Sequence, residues 1–295
     1  MMDFIIGDKR FEIGKKTYIM GILNVTPDSF SDGGRYVSVD NAISAAQRMA
    51  ADGADIIDIG GESTRPGHTQ ITAEEEIDRV VPVIKAIKDS IDVPISIDTY
   101  KYDVAKEAIT AGADLLNSIW GFSKDDRLAE LVAKTGVSVC IMHNRDEIFS
   151  LDGSPEGKDL TYPDGDKTGK SISDDKFMDT VMSDLEISLK IAEKYGIDKD
   201  RIIIDPGVGF GKTQEQNLIV IKYIKRLVDT GYPVLMAASR KSVIGYVLDT
   251  PVDEREEGTL AITLYAASQG CTMVRVHDVV KNARALRMWE SVTHI

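Results

Sequence analysis

Tyr18-Ile-Met-Gly-Ile-Leu23 is apolar from end to end and runs directly into Asn24-Val-Thr-Pro-Asp28-Ser-Phe30-Ser-Asp32-Gly-Gly34. A strand with one wet face alternates polar and apolar residues, whereas a strand buried on both faces of a parallel sheet reads as a continuous apolar run. Seven further runs have this character: Ala54–Ile59, Pro94–Ile97, Asp114–Leu116, Val137–Met142, Arg201–Ile204, Tyr232–Met236 and Thr272–Val276. Segments of helical period lie between them, at Ser38–Ala51, Thr72–Ser90, Lys101–Ala111, Lys124–Thr135, Phe177–Tyr195, Gln214–Thr230 and Glu256–Gln269, and Val279–Ser291 closes the chain. Thr72-x-x-Glu75 has the spacing of a capping box, which fixes one of these starts. Eight strands alternating with eight helices predict an α/β fold, the (β/α)8 TIM barrel, with Ser239–Leu248 as an extra short helix after strand seven. Ahead of strand one, Phe4–Ile6, a Gly-Asp-Lys turn and Phe11–Ile13 predict an N-terminal β-hairpin, within residues 1–16, that closes the barrel floor.

The chain has 295 residues and a mass of 32.4 kDa, a length that one barrel domain spanning 1–295 uses up. Its 43% hydrophobic and 28% charged residues exclude disordered, collagenous and disulfide-scaffold classes. Lys and Arg number 35 against 48 Asp and Glu, and the net charge of −13 argues against nucleic-acid or anionic-membrane partners. No apolar run reaches the ~18 residues of a membrane span. The start, MMDFIIGDKRFEIG, lacks the basic and apolar regions of a signal peptide, so a soluble, cytoplasmic protein is expected. Cys140 and Cys271 lie far apart in apolar runs and read as buried thiols of a reducing compartment. Asp146–Asp175 breaks the rhythm: nine acidic residues, three lysines and four glycines predict a long acidic surface loop after strand five.

Polar, Gly and Pro residues follow every predicted strand. Gly60-Gly-Glu62-Ser-Thr64-Arg65-Pro66-Gly67 follows strand two, Asp98-Thr99 ends strand three, Asn117-Ser118 strand four and His143-Asn144 strand five. Asp205-Pro-Gly-Val-Gly-Phe210-Gly-Lys212 ends strand six, Ser239-Arg-Lys241-Ser242 strand seven, and Arg275-Val-His277-Asp278 strand eight. In a barrel these ends form the C-terminal rim, where the chemistry of this fold is done. Asp98, Asn117 and Asp205 offer donors and acceptors suited to the edge of a flat polar heterocycle. Arg65, Lys241, Arg275 and His277 bring positive charge to the rim of an acidic protein, which suits an anion such as a phosphate. The helix opening at Lys241 and Ser242 adds N-terminal amides to that anion site. Asn24 and nearby carboxylates suit Mg2+, an ion that takes few protein ligands beside phosphate oxygens.

Three other patterns carry less. Pro206-Gly-Val-Gly-Phe-Gly211-Lys212-Thr213 nearly spells a nucleotide P-loop, but Pro206 occupies its first Gly and the run comes late in the chain. Lys241 beside Arg240 has the setting of a Schiff-base lysine without an evident acid–base partner. His68, His143, His277 and His294 lack the spacing of a zinc site.

Taken in order along nearly the whole chain, these segments resemble those of dihydropteroate synthases, the pterin-binding barrels of folate biosynthesis. Met20 to Gly34 is similar to the first signature of that family and Gly53 to Gly67 to the second; Ser96-Ile-Asp98-Thr, Asp205–Lys212, Ser239–Ser242 and Arg275–Asp278 complete the set. The resemblance implies a transferase that condenses 6-hydroxymethyl-7,8-dihydropterin diphosphate with p-aminobenzoate, with Mg2+ as cofactor, homodimeric, and a target of sulfonamides. It implies that Asp98, Asn117, Met142, Asp205, Lys241 and Arg275 hold the pterin. Asn24, Arg65, Arg275 and His277 then hold the diphosphate, with Asn24 on the metal, and Phe30, Thr64, Pro66, Phe210, Lys241 and Ser242 form the p-aminobenzoate site. Asp32, Arg65, Asp98, Asp205 and Lys241 are the residues it implicates in catalysis.

The family mechanism is SN1-like, with C–O cleavage leaving a pterin-stabilised cation. Asp98 and Asp205 stabilise that cation, and the loops after strands one and two, ordered in part by Asp32, exclude water. Leu286 and Trp289 on the last helix are the exposed apolar residues expected at a dimer contact. Ala237-Ala238 stand where the family commonly has a Gly, and the 146–175 loop is longer and more acidic than its pattern. The alternatives are a methyltetrahydrofolate:corrinoid methyltransferase, which has no need of the two loop signatures, and a non-catalytic pterin-binding paralogue, which is expected to have lost Asp32, Thr64, Arg65 or Lys241.

Overall fold

The computed structural model describes residues 3–25, 34–62, 70–145 and 173–293, with the side chains of 34–38 left aside. Among the described residues ten strands follow in chain order: β1 (Asp3–Ile6), β2 (Lys9–Glu12), β3 (Tyr18–Asn24), β4 (Ile56–Gly60), β5 (Ile95–Asp98), β6 (Leu115–Ser118), β7 (Ser138–Met142), β8 (Ile202–Asp205), β9 (Leu235–Met236) and β10 (Met273–Val276). The helices are α1 (Gly34–Ala51), α2 (Ala73–Lys88), α3 (Tyr102–Thr110), α4 (Arg127–Thr135), α5 (Asp174–Lys194), α6 (Gln214–Lys222), α7 (Lys225–Val228), α8 (Ser242–Leu248), α9 (Glu256–Ser268) and α10 (Val279–Thr293). Strands β3 to β10 pair in parallel in the order β8-β7-β6-β5-β4-β3-β10-β9. A bridge between Ile204 and Val234, with Ile204 N–H donating to Pro233 O at 2.9 Å, joins the two ends and closes the barrel.

The period of two along each strand sorts the barrel into layers. Ile57, Ile59, Ile95, Ile97, Leu116, Val139, Ile141, Ile202, Ile204, Val274 and Val276 face outward into the main core with the helices. Met20, Ile56, Leu115, Cys140, Ile203, Leu235 and Met273 form a second buried cluster inside the barrel. Two residues further along the same inward faces come Asp58, Asn117, Met142, Asp205 and Arg275. An apolar plug therefore lies directly beneath a polar rim. The expected hairpin is present: β1 and β2 pair antiparallel, and Phe4, Ile6 and Phe11 join Tyr18 in the inner cluster, so the hairpin seals the floor.

Boundaries depart from the sequence expectation for identifiable reasons. Asp55 and Asp114 do not extend their strands; their carboxylates accept the amides of Ile19 and Ile95, each at 2.9 Å, at the bottom of the neighbouring strand. Pro233 has no N–H to give to a ladder, and β9 shortens to two residues. The stretch Gln214–Thr230 breaks at Tyr223-Ile224 into α6 and α7. Helix α5 begins at Asp174, within the stretch assigned to the acidic loop; residues 146–172 of that loop lie outside the described residues. The short helix begins at Ser242 instead of Ser239, because Arg240 turns into the left-handed region at φ 57°. Leu286 is not exposed but buried in the core, and Trp289 packs against it. Each faces the barrel side of α10, and the exposed apolar residues of that helix are Met288 and Val292. Cys140 and Cys271 are buried free thiols. No described helix is long and apolar enough to cross a membrane.

Candidate active site

The centre of the rim is a charge cluster built from four strands. Arg275 Nε donates to Asp58 Oδ2 at 2.6 Å, and its Nη2 donates to Asp98 Oδ2 at 2.7 Å. Asn117 Nδ2 lies 3.4 Å from Asp58 Oδ2, and the β5–β6 register sets Asp98 beside Asn117. Two buried carboxylates thus share one guanidinium. Burial pushes the Asp98 carboxyl up to about 7, against the pull of Arg275 and helped by Asp58. Its second oxygen, Oδ1, is buried with no hydrogen-bond partner among the described residues. A buried acceptor without a partner costs ~1–3 kcal/mol, so this atom is placed to receive a donor from a ligand. Asp58 was not singled out in the sequence, where it stands inside Ile56-Ile-Asp-Ile-Gly60; a charge in the middle of an unbroken apolar run was the available signal.

Asp205 ends β8, next to Met142 in register. The amide of Gly207 donates to Asp205 Oδ1 at 2.6 Å, and burial again raises this carboxyl, opposed by the nearby Lys241 ammonium. The chain then turns tightly. Gly207 has φ 68°, and a Cβ there would lie 1.8 Å from His143 O, so only glycine fits. Lys241 reaches across from the end of strand β9: its ammonium donates to Val208 O and stands 4.2 Å from the centre of the Phe210 ring. Arg240 orients it. Its left-handed backbone is held by Thr259 Oγ1, which accepts from Arg240 N at 3.1 Å, and by Arg255, which donates to Arg240 O at 3.2 Å. Ser242 opens α8 and accepts a hydrogen bond from Gln214 Nε2 at 3.3 Å. His277 Nδ1 lies 2.9 Å from the Ser239 hydroxyl, which also accepts from His277 N at 3.2 Å.

Asp98, Asn117, Met142, Asp205, Phe210, Lys241, Ser242, Arg275 and His277 therefore all lie at the strand ends of one rim, and Asn24 is exposed at the end of β3. Phe30, Asp32, Thr64, Arg65 and Pro66 lie outside the described residues. Two polar clusters were not anticipated. Lys101 donates to Glu62, to Glu76 at 2.8 Å and to Ile71 O at 2.7 Å. Lys212, His143, Asp184 and Arg145 form a second group beneath the Asp205–Lys212 turn. Among the described residues no three His, Cys, Asp or Glu side chains converge on a cation.

A sequence model of the family described as pterin binding enzyme matches residues 20–277. The chain is 49% identical over 288 residues to the dihydropteroate synthase of Clostridium beijerinckii, covering 97% of this chain and 98% of that protein. It is similar to a dihydropteroate synthase structure from Clostridium difficile determined in the presence of pteroic acid, with a TM-score of 0.83, 46% identity and coverage of 97% and 100%. A Yersinia pestis dihydropteroate synthase in complex with a sulfonamide drug aligns with a TM-score of 0.84 at 36% identity, over 100% of both chains.

Proposed function

The chain belongs to the dihydropteroate synthases of the pterin-binding enzyme family, and from that membership we propose how its own residues carry out the condensation. The reaction joins the methylene carbon of 6-hydroxymethyl-7,8-dihydropterin diphosphate to the amine of p-aminobenzoate; the C–O bond breaks, a C–N bond forms, diphosphate departs and the amine loses a proton. The observation that carries this reading is the bare, buried Asp98 Oδ1 beside Arg275, with Asn117 and Asp205 on adjoining strand ends. Such a set matches the alternating N–H and carbonyl edge of a pterin.

Asp98, Asn117 and Asp205 hold that edge, with Met142 supplying apolar surface and Lys241 and Arg275 reaching the ring. As the C–O bond opens ahead of attack, positive charge spreads into the pterin, and the two buried carboxylates stabilise it. A neutral arylamine then attacks without a strong base. Phe210, Lys241 and Ser242 receive p-aminobenzoate, its carboxylate toward the start of α8. Phe30, Thr64 and Pro66 complete that site, and Asp32 and Arg65 serve the reacting end; these five assignments rest on the sequence signatures. Arg275 and His277 carry the diphosphate charge with Arg65. Asn24, whose exposed amide oxygen is of the hard kind that suits Mg2+, would hold that ion together with the diphosphate, and its charge would there help neutralise the leaving group. Sulfonamides are arylamines shaped like p-aminobenzoate, and the enzyme is their target.

The whole chain, 1–295, acts as one cytoplasmic domain and as a homodimer. The exposed apolar run Tyr246-Val247-Leu248 with Val252 supports the dimer contact, in place of Leu286 and Trp289. No nucleic acid or membrane takes part. The test is diphosphate release from the pterin diphosphate with Mg2+, with and without p-aminobenzoate. Release coupled to dihydropteroate formation is expected; tight pterin binding without release would identify a silent relative and refute the synthase reading.

A further inference from the structure

Lys212 ends the Asp205–Lys212 turn with its ammonium folded back beneath it. Nζ donates to Gly207 O at 2.8 Å and to Phe210 O at 3.0 Å, and it meets Nδ1 of His143 at 2.7 Å. On the far side of the ring, His143 Nε2 lies 2.9 Å from Asp184 Oδ2. An ammonium can only donate and a carboxylate can only accept, so the tautomer is fixed: Nδ1 is bare and Nε2 carries the proton. Arg145 forks onto the same carboxylate, at 2.5 and 2.8 Å, and holds Asp184 in place. The ring is buried, and burial together with the adjacent Lys212 charge lowers its pKa to about 4, so it is neutral at physiological pH. The turn rests on the same residue through its backbone, His143 N donating to Asp205 O at 3.0 Å.

The same turn, Gly207 to Phe210, carries the groups that aim the pterin-side residues. Gly207 N donates to the Asp205 carboxylate, and Val208 O receives Lys241. We propose that Lys212 and His143 are a pair of positioning residues for the pterin half of the site: the ammonium, seated on the bare imidazole nitrogen, fixes the Gly207 and Phe210 carbonyls and through them the Asp205 carboxylate and the Lys241 ammonium. Neither residue touches substrate. The inference rests on the synthase reading above.

It is tested by steady-state kinetics of Lys212→Met, His143→Phe and the double variant. Each single change is expected to raise KM for the pterin diphosphate about tenfold with kcat within threefold of wild type, and the double variant to be no worse than either, because the pair acts as one unit. His143→Asn, whose Oδ1 replaces Nδ1 as acceptor, is expected to recover most of the loss. Folded single variants with wild-type KM, or additive losses, overturn the proposal. Should the variants fail to fold, nitrogen-15 spectra of the wild-type histidine ring decide: a proton on Nε2 and no titration between pH 5.5 and 8 are expected, and a proton on Nδ1 or titration near 6.5 refutes it. Wild-type enzyme in the same assay separates the two readings. Absent wild-type turnover refutes the synthase, whereas normal wild-type turnover with unaffected variants refutes only the positioning role.

Discussion

The residue that governs the site is Asp98, because two buried carboxylates compete for the single guanidinium of Arg275. Its folded pKa of about 7 stands well above the ordinary 3.8, so between those values the folded protein holds a proton that the unfolded chain releases. Stability in the absence of ligand is thus lost as pH rises through that window. A ligand that donates N–H groups to Asp98 needs the ionised form, and the sign for binding is the opposite. Calorimetry with 7,8-dihydropteroate is expected to show affinity falling toward tenfold per pH unit below 7, with proton release on binding at pH 6. Both effects vanish in Asp98→Asn. A flat affinity from pH 5.5 to 8 in the wild type would contradict this account. Asp98, Asn117, Asp205 and Lys241 were legible as rim residues of the candidate site because polar groups at the ends of apolar runs have one natural place in a barrel. Asp58 was not, since a single charge flanked by isoleucines counts little against the periodicity that defines its strand. The near P-loop spacing around Lys212 said nothing of its partners, which depend on the carbonyls that a turn with three left-handed glycines, Gly207, Gly209 and Gly211, brings inward.

Among the elements, the β4–α2–α3 junction is fastened by one side chain. Lys101 precedes α3, Glu62 follows β4, and Glu76 lies in the first turn of α2; residues 62 and 71, both bonded to Lys101, bracket in sequence the stretch that carries Thr64, Arg65 and Pro66. Arg79 adds a bond to Gly61 O at 2.9 Å. Glu62 and Glu76 are 7% and 1% exposed, so removing the ammonium leaves two buried carboxylates facing one another. A change of that kind costs about 3–5 kcal/mol. Burial already raises the Glu76 carboxyl and Lys101 opposes it; without the lysine the pKa climbs further, and a proton relieves the pair. Lys101→Met is therefore expected to lose about 3 kcal/mol in urea unfolding at pH 8 and markedly less at pH 5, where the carboxyls are neutralised. An unchanged midpoint at pH 8 would show that the clamp contributes nothing. The elements themselves were readable, and the capping box at Thr72–Glu75 is formed as its spacing required. What the pattern missed were ends decided by partners distant in sequence: Asp55 and Asp114 serve neighbouring strands, and the apolar stripe of α10 points Leu286 inward, a direction that depends on the helix's rotation against the barrel.

At the scale of the whole molecule, stability and chemistry occupy opposite ends of the barrel. Tyr18 at the floor and Asn24 at the rim are six residues apart on β3, about 20 Å in extended chain. The floor is closed by aromatics: Phe4 stacks on Phe11 with centroids 4.8 Å apart, and Tyr18 meets Phe11 edge-on at 4.9 Å. The Tyr18 hydroxyl both accepts from Glu12 N at 2.9 Å and donates to Glu12 O at 3.2 Å, and Ser138 Oγ donates to Ile5 O, so the hairpin is tied to two different strands. Truncating Phe4, 1% exposed, to alanine opens a cavity in the inner cluster and is expected to cost about 3–5 kcal/mol. That is a large part of the ~5–15 kcal/mol of a typical domain, and the urea midpoint falls accordingly. The plug of Met20, Ile56, Leu115, Cys140, Ile203 and Met273 lies between this cavity and the rim, and a close-packed layer confines relaxation to its own neighbourhood. Phe4→Ala should therefore lower the urea midpoint while both substrate KM values at 25 °C stay within twofold of wild type. A rise in KM for the pterin diphosphate comparable to that expected of Lys212→Met would mean that the plug transmits strain from floor to rim, and that the barrel works as one unit instead of two ends.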